Sequence, residues 1–118
     1  MVENFRHFQA GPDPFGRTWQ VDFLWLQTAI SIRHSDSVDV KFLLSGGEAR
    51  MERVVSMRHP DLLALSAKAG RPLTDSWCMR LAGLHLLHIT QTGEDLEKTL
   101  VTASPEQLET YNGLIPAP

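Results

Sequence analysis

The chain has 118 residues, of which 42% are hydrophobic and 21% charged, and its net charge is −3 at pH 7. These values are typical of one globular domain and exclude an intrinsically disordered chain. A net acidic chain also lacks the basic footprint of a nucleic-acid-binding protein, so we expect neither nucleic acid nor an anionic membrane as a partner.

Residues 1–17 predict an irregular N-terminal arm. They combine Phe5, Phe8 and Phe15 with glycines and prolines, and they show no period of 2 or 3.6 residues. Because exposed phenylalanines are costly, we expect this arm to wrap its own core or a neighbouring subunit. The chain start predicts neither a signal peptide nor an anchor, and no segment approaches the roughly 20 apolar residues of a membrane span. We therefore expect a cytoplasmic protein.

The next part of the chain predicts three antiparallel strands joined by short turns. Residues 18–33 are rich in β-branched and aromatic residues, which favours a strand. The apolar residues lie on one face early in this strand and on the other face later. This change indicates either a bulge near residues 26–29 or a strand that is buried on both faces. Residues 37–45 alternate cleanly between apolar and polar side chains. A pair of adjacent glycines then predicts a hairpin into a third strand over residues 49–57.

The second half of the chain predicts helices. Residues 60–69 begin at a proline and end before a glycine, the usual signals of a helix start and stop. Residues 74–91 are apolar around most of the helical circumference, which predicts a buried central helix. A capping pattern indicates a short helix over residues 105–112. Residues 99–104 fit either a helix or a strand, and residues 113–118 predict a frayed C-terminal tail.

We therefore predict an α+β fold, in which a three-stranded antiparallel meander is followed by two to four helices packed on the sheet. The domain would span residues 18–112, between the arm of residues 1–17 and the tail of residues 113–118. Three strands make a sheet about 14 Å wide, and the first of them is apolar on both faces. The two longer helices can cover one face well. Because an uncovered apolar face usually marks an interface, we expect a homodimer.

Two histidines on the central helix suggest a metal site. His85 and His88 are three residues apart, about 4.5 Å along the helix axis, and can present two imidazoles to one transition-metal ion. Cys78 lies about 10 Å from His85 along the axis, too far to join them easily. Histidines on an apolar face are more commonly neutral core residues, and a bare pair is a weak ligand motif. No other cofactor is indicated.

The tryptophans suggest a different site. Trp19 and Trp25 fall on the first strand and Trp77 on the central helix, so together with His85 and His88 they could line an aromatic ligand pocket. Packing in the core or at an interface is the commoner use of such residues.

Catalytic chemistry finds little support in the sequence. Cys78 faces the apolar side of the central helix, which predicts a structural thiol and no nucleophile. Asp22, in the first strand, predicts an ion pair with an arginine of the third strand. We therefore expect a non-catalytic protein that works by binding or assembly, as a subunit, adaptor or inhibitor-like module that could have a protein partner. A small-molecule-binding domain with the aromatic pocket and a metal-binding protein are the alternatives.

Overall fold

The computed structural model describes residues 4–29 and 36–116, and in that part of the chain it forms one mixed five-stranded sheet and three helices. The strands lie side by side in chain order: β1 (His7–Ala10), β2 (Trp19–Ala29), β3 (Ser37–Gly46), β4 (Ala49–Arg58) and β5 (Leu100–Thr102). The helices are α1 (His59–Ala69), α2 (Asp75–Thr92) and α3 (Pro105–Leu114). The predicted α+β class is confirmed.

The predicted meander is present as β2, β3 and β4, but the sheet is wider than three strands. Within the arm that was expected to be irregular, β1 pairs antiparallel with β2, and its Phe8 and Ala10 are buried. Residues 99–104, which fit either a helix or a strand, contain β5. This strand pairs parallel with β4, with Val101 opposite Val55, because α1 and α2 carry the chain back across the sheet.

A bulge in β2 explains why its apolar side changes. The pairing with β3 shifts between Phe23 and Trp25, so Leu24 is an extra residue. Before the bulge Phe23 lies opposite Phe42, and after it Trp25 lies opposite Lys41. The bulge therefore occurs a few residues before the predicted position at residues 26–29. Residues 30–33 of the predicted strand lie outside the described residues.

Helix α2 runs through the core as predicted. Its N-cap is Thr74, whose side chain accepts a hydrogen bond from the backbone N–H of Trp77, and its C-cap is Gly93, which has a positive φ of 75°. Ten of its residues are buried, and it contacts β1, β3 and β4. Gly83 allows the ring of Phe5 to approach the helix backbone closely. In the described part of the chain, no helix has the length and hydropathy needed to cross a membrane.

The end of the chain is better anchored than the sequence predicts. Helix α3 begins with a reciprocal capping box between Ser104 and Gln107, as expected, but it continues through Gly113 to Leu114. Ile115 is buried, and the guanidinium of Arg71 donates hydrogen bonds to the carbonyls of Ile115 and Pro116. The predicted frayed tail is therefore wrong for residues 113–116. Residues 117–118 lie outside the described residues.

Candidate functional sites

A buried histidine–tyrosine pair connects α2 and α3. His85 Nδ1 lies 2.8 Å from Tyr111 Oη, and both residues are at most 5% exposed. Burial, with a smaller effect of His88, lowers the pKa of His85 to about 4. Burial, and next the charge of Glu94, raises the pKa of Tyr111 to about 12. Both groups are therefore neutral at pH 7, and they form a neutral hydrogen bond inside the core.

His88 lies at the edge of this pair. Its ring centroid is 6.4 Å from that of His85, and its Nε2 is 3.5 Å from Glu94 Oε2. The structure thus brings the two predicted metal ligands together, although His85 already uses Nδ1 for Tyr111. In the described ranges, no three His, Cys, Asp or Glu side chains are grouped as metal ligands. The metal hypothesis therefore requires further ligands from outside these residues.

The tryptophans predicted to share one pocket line three separate depressions. Trp19 lines one of about 500 Å³ and its indole N–H donates to Asp13 Oδ2 at 3.2 Å. Trp25 lines a cleft of about 450 Å³. Trp77 lines a third of about 350 Å³, and its indole N–H donates to Asn112 Oδ1 at 3.1 Å. Of the five predicted pocket residues, His85 and His88 lie next to each other, with ring centroids 6.4 Å apart.

Two predictions about single residues have clear outcomes. Cys78 is buried, and burial, then the charge of Asp75, raises the pKa of its thiol to about 11. A thiol in this environment is a structural residue, as predicted. Asp22 pairs with His7 at 2.6 Å and not with an arginine of β4. The sequence could not reveal this pair because His7 belongs to the strand that the sequence does not predict.

The depression beside Trp19 is lined partly by Phe15, which was expected, like Phe5 and Phe8, to pack on the core or on a neighbouring subunit. Phe5 and Phe8 of the arm are buried in the core, whereas Phe15 is 95% exposed. We call Phe15, together with the groove lined by Trp19, Met51 and Leu96, the Phe15 surface. The only sequence signal for it is a phenylalanine between a proline and a glycine, in a segment rich in turn residues.

A single carboxylate organises the loop that carries Phe15. Asp13 Oδ1 accepts hydrogen bonds from the backbone N–H groups of Phe15 and Arg17, each at 2.9 Å. The backbone of Asp13 also pairs with Arg17 and Gly16. The hydrogen bonds to its side chain, of which the one from the Arg17 N–H has the largest effect, lower the pKa of the Asp13 carboxyl. The loop therefore holds Phe15 in a defined position in spite of its exposure.

The cleft beside Trp25 lies between β2 and the first two turns of α2. Its lining residues include Phe23, Trp25, Met79, Arg6 and Arg80. The guanidinium carbon of Arg6 lies 5.4 Å from the centroid of the Phe23 ring. We call this depression the α2 cleft.

The sheet face opposite the helices carries a mixture of apolar and charged side chains. Trp25, Lys41, Val54 and Leu100 form one row across four strands. Lys41 Nζ pairs with Glu52 at 2.6 Å and lies 5.7 Å from the Trp25 ring centroid. This face, opposite the helices, is thus less apolar than the sequence suggests, because the Lys41–Glu52 ion pair lies among its hydrophobic residues.

No protein-family model, no curated protein and no solved structure matches this chain. The functional argument therefore depends on the geometry of the Phe15 surface, the α2 cleft and the open sheet face.

Proposed function

We propose that this chain is a non-catalytic assembly protein that works as a two-fold homodimer, with the Phe15 surface as its interface. The observation that carries the proposal is the 95% exposure of Phe15 on a loop that Asp13 holds in place. Burying a phenylalanine side chain stabilises a protein by about 1.5–3 kcal/mol relative to leaving it exposed. A defined loop that gives up this stabilisation is typical of an aromatic anchor in an interface.

The groove beside Phe15 gives the anchor a place to bind on a second copy. It has a volume of about 500 Å³, ample room for a phenyl ring, and its lining includes the apolar residues Trp19, Met51 and Leu96 as well as Phe15 itself. In a two-fold dimer the same patch of each copy faces the other, so the patch must contain both a projection and its receptor. The Phe15 surface contains both, and each ring can therefore enter the groove of the other copy.

The charged residues around the groove are compatible with this arrangement. Arg17 and Glu97 both line it and carry opposite charges, so the rim of one copy can meet the rim of another without net repulsion. Arg17 is also held over the Trp19 ring, 5.3 Å from its centroid, which limits the side-chain entropy lost on binding. The proposal keeps the expectation that this dimer works in the cytoplasm.

Light scattering on untagged protein at micromolar concentration tests the proposal. We expect a mass of about 26 kDa, twice the 13.2 kDa of the chain. Phe15→Ser should give the monomer mass. Leu63→Ser is the matched control, because Leu63 is 50% exposed on α1 and lines neither the groove nor the α2 cleft; this variant should stay dimeric.

Two results would contradict the proposal. A wild-type mass near 13 kDa would remove the dimer itself. A dimer that persists in Phe15→Ser but dissociates in Leu100→Ser would place the interface on the open sheet face, where Leu100 is 54% exposed.

A further inference from the structure

The position of the α2 cleft follows from the shortness of β1. Strand β1 pairs with β2 from Trp19 to Asp22, one more hydrogen bond joins the Phe23 N–H to the Arg6 carbonyl, and β2 then continues past this point. The first turns of α2 stand beside this continuation. The space between them is the cleft of about 450 Å³, which lies within the roughly 300–1,000 Å³ of typical small-molecule sites.

The wall of the cleft suits a flat apolar ring. Phe23, Leu26 and Met79 line it and are half-buried, and Trp25 borders it at the bulge, with its ring beside Lys41 on the other face of the sheet. Phe23 supplies an aromatic ring on the helix side of the sheet. Offset stacking or edge-to-face contact with such a ring adds about 0.5–1.5 kcal/mol to the burial of a ligand ring.

The lining of the cleft also has an excess of positive charge. Arg6 and Arg80 both line it, and neither forms an ion pair with any residue in the described ranges. Asp75 is the acidic residue of the lining, so the lining contains two arginines and one carboxylate. Stacking over Phe23 already positions Arg6. A guanidinium group offers planar paired donors that match a carboxylate.

From this combination we infer that the α2 cleft binds a small aromatic carboxylate, a planar ring that carries one negative charge. The ring contacts Phe23 and Met79, and the carboxylate accepts hydrogen bonds from Arg6 and Arg80. The residues of the cleft and those of the Phe15 surface do not overlap. Ligand binding and dimer formation are therefore separate properties, and either can fail without the other.

Isothermal titration calorimetry with indole-3-acetate as the probe tests the inference. Indole, which lacks the carboxylate, and acetate, which lacks the ring, should each bind at least about tenfold more weakly, since each loses one class of contact. Arg80→Gln and Arg6→Gln should each weaken indole-3-acetate binding by about tenfold or more, the usual effect of a lost hydrogen bond to a charged group. All the variants should fold, because both arginines are exposed.

Arg50→Gln is the matched control, because it removes the same charge from an exposed residue of β4 outside the cleft. Its affinity for the probe should equal that of the wild type. The inference is overturned if indole-3-acetate does not bind, if neither Arg6→Gln nor Arg80→Gln weakens binding, or if Arg50→Gln weakens it equally. The last result would indicate only general attraction between the anion and the protein's cations.

Discussion

The ring of Phe5 packs directly on the backbone of α2 at Gly83. A Cβ placed on Gly83 would overlap Cδ1 of this ring and lie 3.1 Å from Cε1. Glycine within a helix is usually destabilising. At this position the missing side chain leaves the space into which the Phe5 ring packs, and this contact connects the N-terminal arm to the core.

Gly83→Ala should lower the free energy of unfolding by about 1 kcal/mol. Alanine favours the helix by about 1 kcal/mol, but overpacking costs about 1–3 kcal/mol, and the ring is held in place by its contact with Phe8. In a Phe5→Ala background the same change should become stabilising, because only the helix preference remains. Urea denaturation of the four proteins measures both effects. A stabilising effect of Gly83→Ala in the wild-type background would contradict the packing argument.

The stability of the fold should decrease in mild acid because of His85. Its pKa in the folded chain is about 4, below the ordinary 6.5, so between these values the unfolded chain binds a proton that the folded chain does not. The free energy of unfolding from this site therefore falls as the pH falls, by about 2 kcal/mol between pH 7 and pH 5. Chemical denaturation at both pH values measures it. His85→Gln should be less stable but should lose this part of the pH dependence; an unchanged slope would refute the assignment.

The Cys78 thiol should react slowly in the native protein. Its pKa of about 11 leaves little thiolate at pH 8, and burial hinders access of the reagent. Labelling with a thiol-specific disulfide reagent should be slow in buffer and fast in denaturant. Complete labelling of the native protein within the dead time of mixing would show that this part of α2 is open.

Two neighbouring residues test whether the end of the chain is anchored. Ile115 is 4% exposed and Leu114 is 54% exposed. Ile115→Ala should lower the free energy of unfolding by about 2–4 kcal/mol, and Leu114→Ala should change it by less than about 0.5 kcal/mol. Equal effects of the two substitutions in thermal or urea denaturation would mean that this segment is frayed after all.

The loop of Asp13 should affect assembly without changing the contact surface. Asp13→Ala removes the acceptor for the N–H groups of Phe15 and Arg17, so Phe15 should lose its fixed position and the dimer should weaken by about tenfold. Asp13→Asn keeps an acceptor oxygen and should weaken it less. Sedimentation equilibrium gives the dissociation constants. If both variants dimerise as the wild type does, the loop does not preorganise the interface.

The predictable parts of the fold are those with signals close together in the chain. Helix α2 carries its own cap at Thr74 and its own stop at Gly93, and α3 carries its capping box, so their positions follow from local chemistry. Strand β1 has four residues in a segment rich in proline and glycine, which is too short to show a period. Its existence depends on pairing with β2, and no local signal reports that pairing.

The candidate sites were harder to predict because they depend on how far apart the strands and helices that carry their residues lie. The pattern of the chain indicates which face of an element Trp19, Trp25 or Trp77 occupies, but not how far apart the elements place them. The partner of His85 is Tyr111, 26 residues later in the chain and on another helix. The exposure of Phe15 was equally hidden, because a phenylalanine in a turn can fold back onto the core as Phe5 does.

The bulge at Leu24 also affects which kind of contact two copies can make. Beyond Asp22 one further hydrogen bond joins the Phe23 N–H to the Arg6 carbonyl at 2.8 Å, and within the described residues β2 then continues past this partner as the border of the sheet. A straight exposed strand of this kind attracts other chains and promotes aggregation. The extra residue bends the strand and interrupts the regular spacing of its donors and acceptors. Growth of a continuous sheet from chain to chain is therefore disfavoured at this border.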